Sequence, residues 1–163
     1  MRYSDTSEQF LQHLVDEVLY HLYQLPKYRR TALSVLQLIG AYQKKVEHSG
    51  TWLNGCESIT FAQVIDHFLK QLPEHQDETR WFCDKWSVFD KSIEKSYTLT
   101  HTLIQTTANR VQFKKYMVDC NQKELEEFYT SASVCSQHMY EGKKTIVEYV
   151  DLTTGEQKLL KAS

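Results

Sequence analysis

Apolar residues recur at helical spacing through the first half of this chain and alternate with threonines and charges from Tyr97 onward. Phe10, Leu11, Leu14, Val15, Val18, Leu19 and Leu22 fall at steps of one, three and four, which draws one broad apolar face. The helix they predict starts among the capping candidates Ser4 to Ser7 and ends near Gln24, with Pro26 just beyond. Pro26 suits the first turn of a second helix, which Leu33, Leu36, Ile39, Ala41, Tyr42 and Val46 carry to His48, where Ser49-Gly50 stops it. These two form a helical hairpin. A loop, Thr51 to Glu57, holds the turn dipeptide Asn54-Gly55. A third helix starts at Ser58 or Thr60, buries Phe61, Val64, Ile65, Phe68 and Leu69, and ends at Leu72 because Pro73 disfavours a helical residue before it. Glu74 to Thr79 is a turn or a helix start. Trp81, Phe82, Trp86, Phe89 and Ile93 predict a fourth helix.

Beyond it the rhythm changes. Five threonines fall within ten residues between Thr98 and Thr107, and β-branching restricts them in a helix. Tyr97, Leu99, His101 and Leu103 alternate with Thr98, Thr100 and Thr102, which predicts a strand; the competing reading is one long helix through Val111. Arg110 to Val118 is the partner strand, joined through Thr107-Ala108-Asn109. Asn121 with Glu124 three residues on opens a helix to Tyr140, stopped by Gly142, with Leu125, Phe128, Ala132 and Cys135 on its buried side. Thr145 to Val150 and Glu156 to Leu160 flank Thr153-Thr154-Gly155, a hairpin loop with a bulge. The predicted fold is α+β in a single domain over 1–163. About four N-terminal helices (about 1–94) pack against a C-terminal ββαββ antiparallel unit (about 95–163); the alternative is a mostly α bundle with a C-terminal β-hairpin.

At 163 residues, 41% hydrophobic and 25% charged, the chain can bury a core and is not disordered in bulk. A net charge of -2 gives no strong overall field for nucleic acid or an acidic membrane. Met1 to Phe10 is polar and mixed in charge, without the apolar core of a signal peptide, and no apolar run approaches a membrane span. The expected compartment is therefore the cytosol. Cys56, Cys83, Cys120 and Cys135 form no CxxC pair and are expected as buried thiols there.

Two clusters carry ligand-type chemistry. His13, Glu17 and His21 share a helix face with Asp16 and Tyr20 nearby, yet one helix offers only two such groups to one ion, and neither ExxH nor HExxH occurs. A solvated polar face is expected. Cys135-Ser-Gln-His138 sets a thiol and an imidazole one turn apart, with Asp119 and Cys120 upstream. No glycine lies near Cys135 to suggest an oxyanion hole, so a buried structural cysteine is expected. No phosphate loop or GxSxG elbow is present, and Glu126-Glu127 reads as a solvated surface pair. The sequence assigns no catalytic residue, no cofactor and no metal.

Binding is better supported. Aromatic residues make up 12%, ten of them tyrosine, and such side chains bury large area at small entropic cost. Val147, Tyr149 and Leu160 share one face of the C-terminal hairpin; Ile146, Val150 and Leu159 share the other. The helix at 121–140 covers only one face, so a protein partner or a second subunit is expected on part of the other, with Tyr149 at its margin. Arg110, Gln112, Lys114 and Tyr116 point one way on their strand and, extended by Lys27, Tyr28, Arg29 and Arg30, offer a basic and aromatic face for nucleic acid. The expected function is that of a non-enzymatic cytosolic protein acting through protein–protein contacts, as an adaptor, chaperone-like partner or regulatory inhibitor. A nucleic-acid-binding regulator is the alternative, and an enzyme with a dispersed site the third reading.

Overall fold

The computed structural model describes residues 3–47, 58–76, 79–118 and 121–162. The chain divides into two compact units. One comprises Met1–Glu78 with the short segments Met117–Asp119 and Asp151–Glu156; the other comprises Thr79–Tyr116, Cys120–Val150 and Gln157–Ser163.

Among the described residues the first unit holds three α-helices: α1 (Tyr3–Leu22), α2 (Ala32–Glu47) and α3 (Ser58–Lys70). All seven apolar stripe residues of α1 are buried, from Phe10 at 9% exposed to Leu14 and Leu22 at 0%. Burying such side chains contributes roughly 1.5–3 kcal/mol each, so this stripe is a large part of the unit's core. Val35 and Ile39 are the buried positions of α2, and Tyr42 sets its ring 5.5 Å from Phe10. The second helix starts later than the sequence predicts. Pro26 has ψ 150°, an extended value, so the chain first makes a 3-10 turn at Lys27–Arg29. Thr31 then caps α2, its Oγ1 accepting from the Ser34 N–H at 3.2 Å. The predicted Thr51–Glu57 loop lies outside the described residues.

After α3 the chain tightens into a 3-10 helix, Leu72–Gln76, which buries His75 completely. Its Nδ1 meets the Tyr23 hydroxyl at 2.6 Å, its ring stacks on Phe68 at 5.8 Å, and its carbonyl accepts from Arg30 Nη1 at 2.8 Å. Arg30 also lies 4.2 Å from the Tyr23 ring centroid, an attractive cation–π placement. The two short segments join the helices by hydrogen bonds. The Val118 N–H donates to Gln12 Oε1 at 2.8 Å, and His67 Nδ1 meets the Leu152 carbonyl at 2.7 Å.

The second unit is a five-stranded sheet in the order β1 (Arg80–Asp90), β2 (Lys95–Thr106), β3 (Arg110–Met117), β4 (Lys144–Asp151) and β5 (Glu156–Ala162), with α4 (Gln122–Met139) between β3 and β4. As expected, Asn121 caps α4, its Oδ1 accepting from the Glu124 N–H at 2.9 Å, and Gly142 follows at φ 85°. β2 is a strand, as the threonines require, and the hairpin closes at Thr153–Gly155.

Two expectations are corrected. The predicted fourth helix is β1, so the change from helix to strand falls at Arg80 and not near residue 95. The C-terminal unit is mixed and not wholly antiparallel. Lys144 N–H donates to the Asn109 carbonyl and Leu152 N–H to the Met117 carbonyl, so β3 and β4 run in the same direction. β1 with β2 and β2 with β3 are antiparallel.

β1 also breaks the two-residue alternation of a strand. Asp84 and His101 sit opposite one another where β1 and β2 lose their pairing, and His101 has φ 46°, a value that interrupts the pleat. Alternation slips there. Cys83 lies near Cys135 of α4, and Trp86 sets its ring edge-on to Tyr140, the C-cap of α4, at 6.4 Å; both therefore turn to the same side although they are three residues apart. On β2, Leu99 and Thr102 are likewise both buried. Phe82, Trp86, Phe89 and Ile93 meanwhile fall at steps of four, three and four, the spacing of a helix.

Gly155 supplies a direct test of the hairpin tip. Its φ is 81°, and a Cβ there would lie 2.8 Å from His67 Cδ2, whereas Gly142, at φ 85°, would meet nothing within 4 Å. Gly142→Ala should cost about 1–2 kcal/mol for the left-handed backbone alone. Gly155→Ala should cost measurably more in urea unfolding, and the excess should vanish when compared in a His67→Ala background.

Candidate functional site

In an open sheet the backbone groups on the outer side of an edge strand have no ladder partner. Among the described residues the sheet has two such strands, β1 and β5. They differ in kind. β1 is 11 residues long and exposes Trp81 at 41% and Phe89 at 54%, with Ile93 at 58% in the turn that follows. β5 is 7 residues long and carries exposed Lys158, the kind of charge that commonly guards an edge, beside the exposed Leu159.

The ends and the middle of β1 are charged. Arg80 opens the strand and reaches Gln105 Oε1 at 3.3 Å, while Gln105 Nε2 donates to Thr79 Oγ1 at 2.8 Å. Asp90 closes it, accepting from the Ser92 N–H at 3.0 Å and the Ser92 hydroxyl at 2.6 Å. Those hydrogen bonds hold the Asp90 carboxyl below its ordinary range, so the strand end is anionic at neutral pH. Between them stand exposed Asp84, whose Oδ1 lies 3.4 Å from His101 Nδ1, and exposed Lys85. The edge thus combines a row to which no strand among the described residues is paired, two exposed aromatic rings and four charges of alternating sign.

The residues singled out in the sequence fall elsewhere. Val147 is 0% and Tyr149 6% exposed, so the chain itself covers them, and Leu160 is half-buried. Lys114 and Tyr116 are 2% and 1% exposed. Lys114 Nζ is 3.8 Å from Glu148, which also accepts from Gln112 and, at 3.0 Å, from Gln157. A buried cation is retained when it is paired in this way, and here the carboxylate is the hub of the network. Of the basic candidates, Arg110 and Arg29 are exposed, while Arg30 is bound into the Tyr23–His75 cluster. The strand does align these positions, but two of its four are closed to a ligand.

His21 Nε2 lies 3.6 Å from Glu17, and Lys45 reaches the same carboxylate at 3.2 Å. They rim a groove of about 210 Å³ between α1 and α2, floored by Val18, Leu38 and Ala41. Tyr42 also lines it, its hydroxyl pushed up by burial and then by Glu17. His13 is exposed. No group of three or more histidine, cysteine, aspartate or glutamate side chains among the described residues is placed to hold a metal ion, and no described helix is long and apolar enough to cross a membrane. Asp119, Cys120 and Cys56 lie outside the described residues. Comparison with protein-family models, curated proteins and solved structures finds no match for this chain.

Cys83 and Cys135 are free thiols, both buried. Burial, then Cys83, pushes the Cys135 thiol up to about 11 from 9.0, and burial followed by Asp84 raises Cys83 as well. The reactive species is the thiolate, so Cys135 is poorly suited to nucleophilic chemistry. Because its folded value lies above the unfolded one, the stability it contributes is present below pH 9.0 and is lost as pH rises towards about 11, where the unfolded chain sheds the proton first. Alkylation at neutral pH, followed peptide by peptide, should label Cys135 slowly in the native protein and fast in urea. Native labelling as fast as in urea would restore a reactive thiol.

Proposed function

We propose that the chain is a non-enzymatic protein acting through protein–protein contacts, and that the outer edge of β1 is its contact surface. The observation that carries this reading is an 11-residue edge strand with Trp81 and Phe89 exposed beside it. An incoming strand would gain main-chain hydrogen bonds along the edge, while the two rings supply the apolar area that fixes orientation. Large aromatic side chains left in water at an open edge are a liability unless something covers them, which favours use over accident. The nucleic-acid reading is weaker, because Lys114 and Tyr116 are buried and the chain carries a net charge of -2.

Adaptor, chaperone-like partner and regulatory inhibitor share this surface and differ in what occupies it. The test is affinity recovery from a native lysate with Trp81→Lys/Phe89→Lys beside the wild type. Trp81 is 41% and Phe89 54% exposed, so thermal unfolding of the variant is recorded beside it to separate lost contact from lost stability. Protein that survives nuclease treatment on the wild type and is lost on the variant is the expected result. Association indifferent to the variant, or nucleic acid held at low salt and released at moderate salt, would sink the proposal.

A further inference from the structure

The charges of β1 have an order that bears on the occupant of its edge. Arg80, Asp84, Lys85 and Asp90 read positive, negative, positive, negative along the strand. Reversing the strand reverses the signs. A second β1 laid antiparallel can therefore set Asp84 and Lys85 of each copy against their opposites, whereas a parallel, in-register copy would set like on like.

The slip at Asp84 selects the register. Residues directly opposed across antiparallel strands lie on the same side of the sheet. Cys83 and Trp86 share a side, so Cys83 of one copy can face Trp86 of the other. That register sets Asp84 opposite Lys85 twice about the two-fold axis. It also sets Trp81 opposite Val88, and Arg80 opposite Phe89 and beside Asp90. The pairing the backbone permits and the pairing the charges favour coincide.

We infer that the partner of the β1 edge is a second copy of this chain, paired antiparallel with Asp84 opposite Lys85 and joining two five-stranded sheets into one. The contact is isologous and closes on itself, so it gives a dimer and no larger assembly. The inference rests on the reading of β1 as a contact surface and adds the identity of the partner.

Sedimentation equilibrium of the full chain tests it by charge exchange. The wild type should dimerise. Lys85→Asp should weaken the dimer by about ten- to a hundredfold, since two attractive pairs become repulsive. Asp84→Lys should do the same, with thermal unfolding recorded because Asp84 also meets His101. An equimolar mixture of the two single variants should recover a heterodimer, and the Asp84→Lys/Lys85→Asp double variant should recover a homodimer. A poorly folded protein would give neither rescue.

A wild type that stays monomeric at every concentration overturns the inference. So does a dimer indifferent to both reversals, or an open-ended polymer, which would mean β1 meeting β5. If the wild type is monomeric while Trp81→Lys/Phe89→Lys still abolishes recovery of a different protein, self-pairing fails and the edge reading stands. If that variant changes nothing either, both fail.

Discussion

The second unit is organised by the need to return the chain from the end of β3 to the beginning of a strand parallel to it. A tight turn cannot do this, because parallel neighbours start at the same end of the sheet. α4 supplies the return. Its 18 residues span about 27 Å at 1.5 Å per residue. The 8 residues of β3 span about 26 Å at 3.3 Å each. The match in length lets hydrogen bonds form at both ends of the pair, Lys144 to Asn109 and Leu152 to Met117. It also brings the buried side of α4, Phe128, Ala132 and Cys135, onto one face of the sheet.

Once the crossover is placed, the rest of the sheet has little freedom. β1 and β2 can only be added outward as hairpins on one flank, and β5 as a hairpin on the other. Two edges are then unavoidable. The chain treats them differently: β5 is short and carries lysines, whereas β1 is long, aromatic and balanced in charge. Its mid-strand slip bends the alternation without shortening the strand, so the edge stays continuous from Arg80 to Asp90.

Much of this fold is legible in the residues. The α1 stripe, the Asn121 cap, the threonine run of β2 and the Thr153–Gly155 loop each follow from short-range chemistry, and each stands where the sequence puts it. β1 is the exception, for a reason that spacing alone cannot reveal. Cys83 and Trp86 face one side three residues apart, across the point where β1 and β2 lose their pairing. The parallel pairing of β3 and β4 is hidden in the same way, since two strands flanking a helix read alike whether they run together or opposed. The candidate site inherits that blindness. Whether a strand is an edge depends on the topology of the whole sheet, and Trp81 and Phe89 in a helix would have been ordinary core. Val147, Tyr149, Lys114 and Tyr116 drew notice as strand residues of the right type, but burial is decided by neighbours far away in the chain.

Neither unit is continuous along the chain, and this shapes how the protein is made. A polypeptide leaves the ribosome N-terminus first, and domains commonly fold in that order. Here the three helices emerge early, yet Gln12 waits for the N–H of Val118 and His67 for the carbonyl of Leu152. The first unit is complete only once the β4–β5 tip has been synthesised, by which time nearly all of the second unit is present too. The two are committed to late, joint assembly, and the apolar stripe of α1 spends most of translation without its full set of neighbours. Closing contacts that span more than eighty residues slow folding relative to a helical bundle held by local contacts.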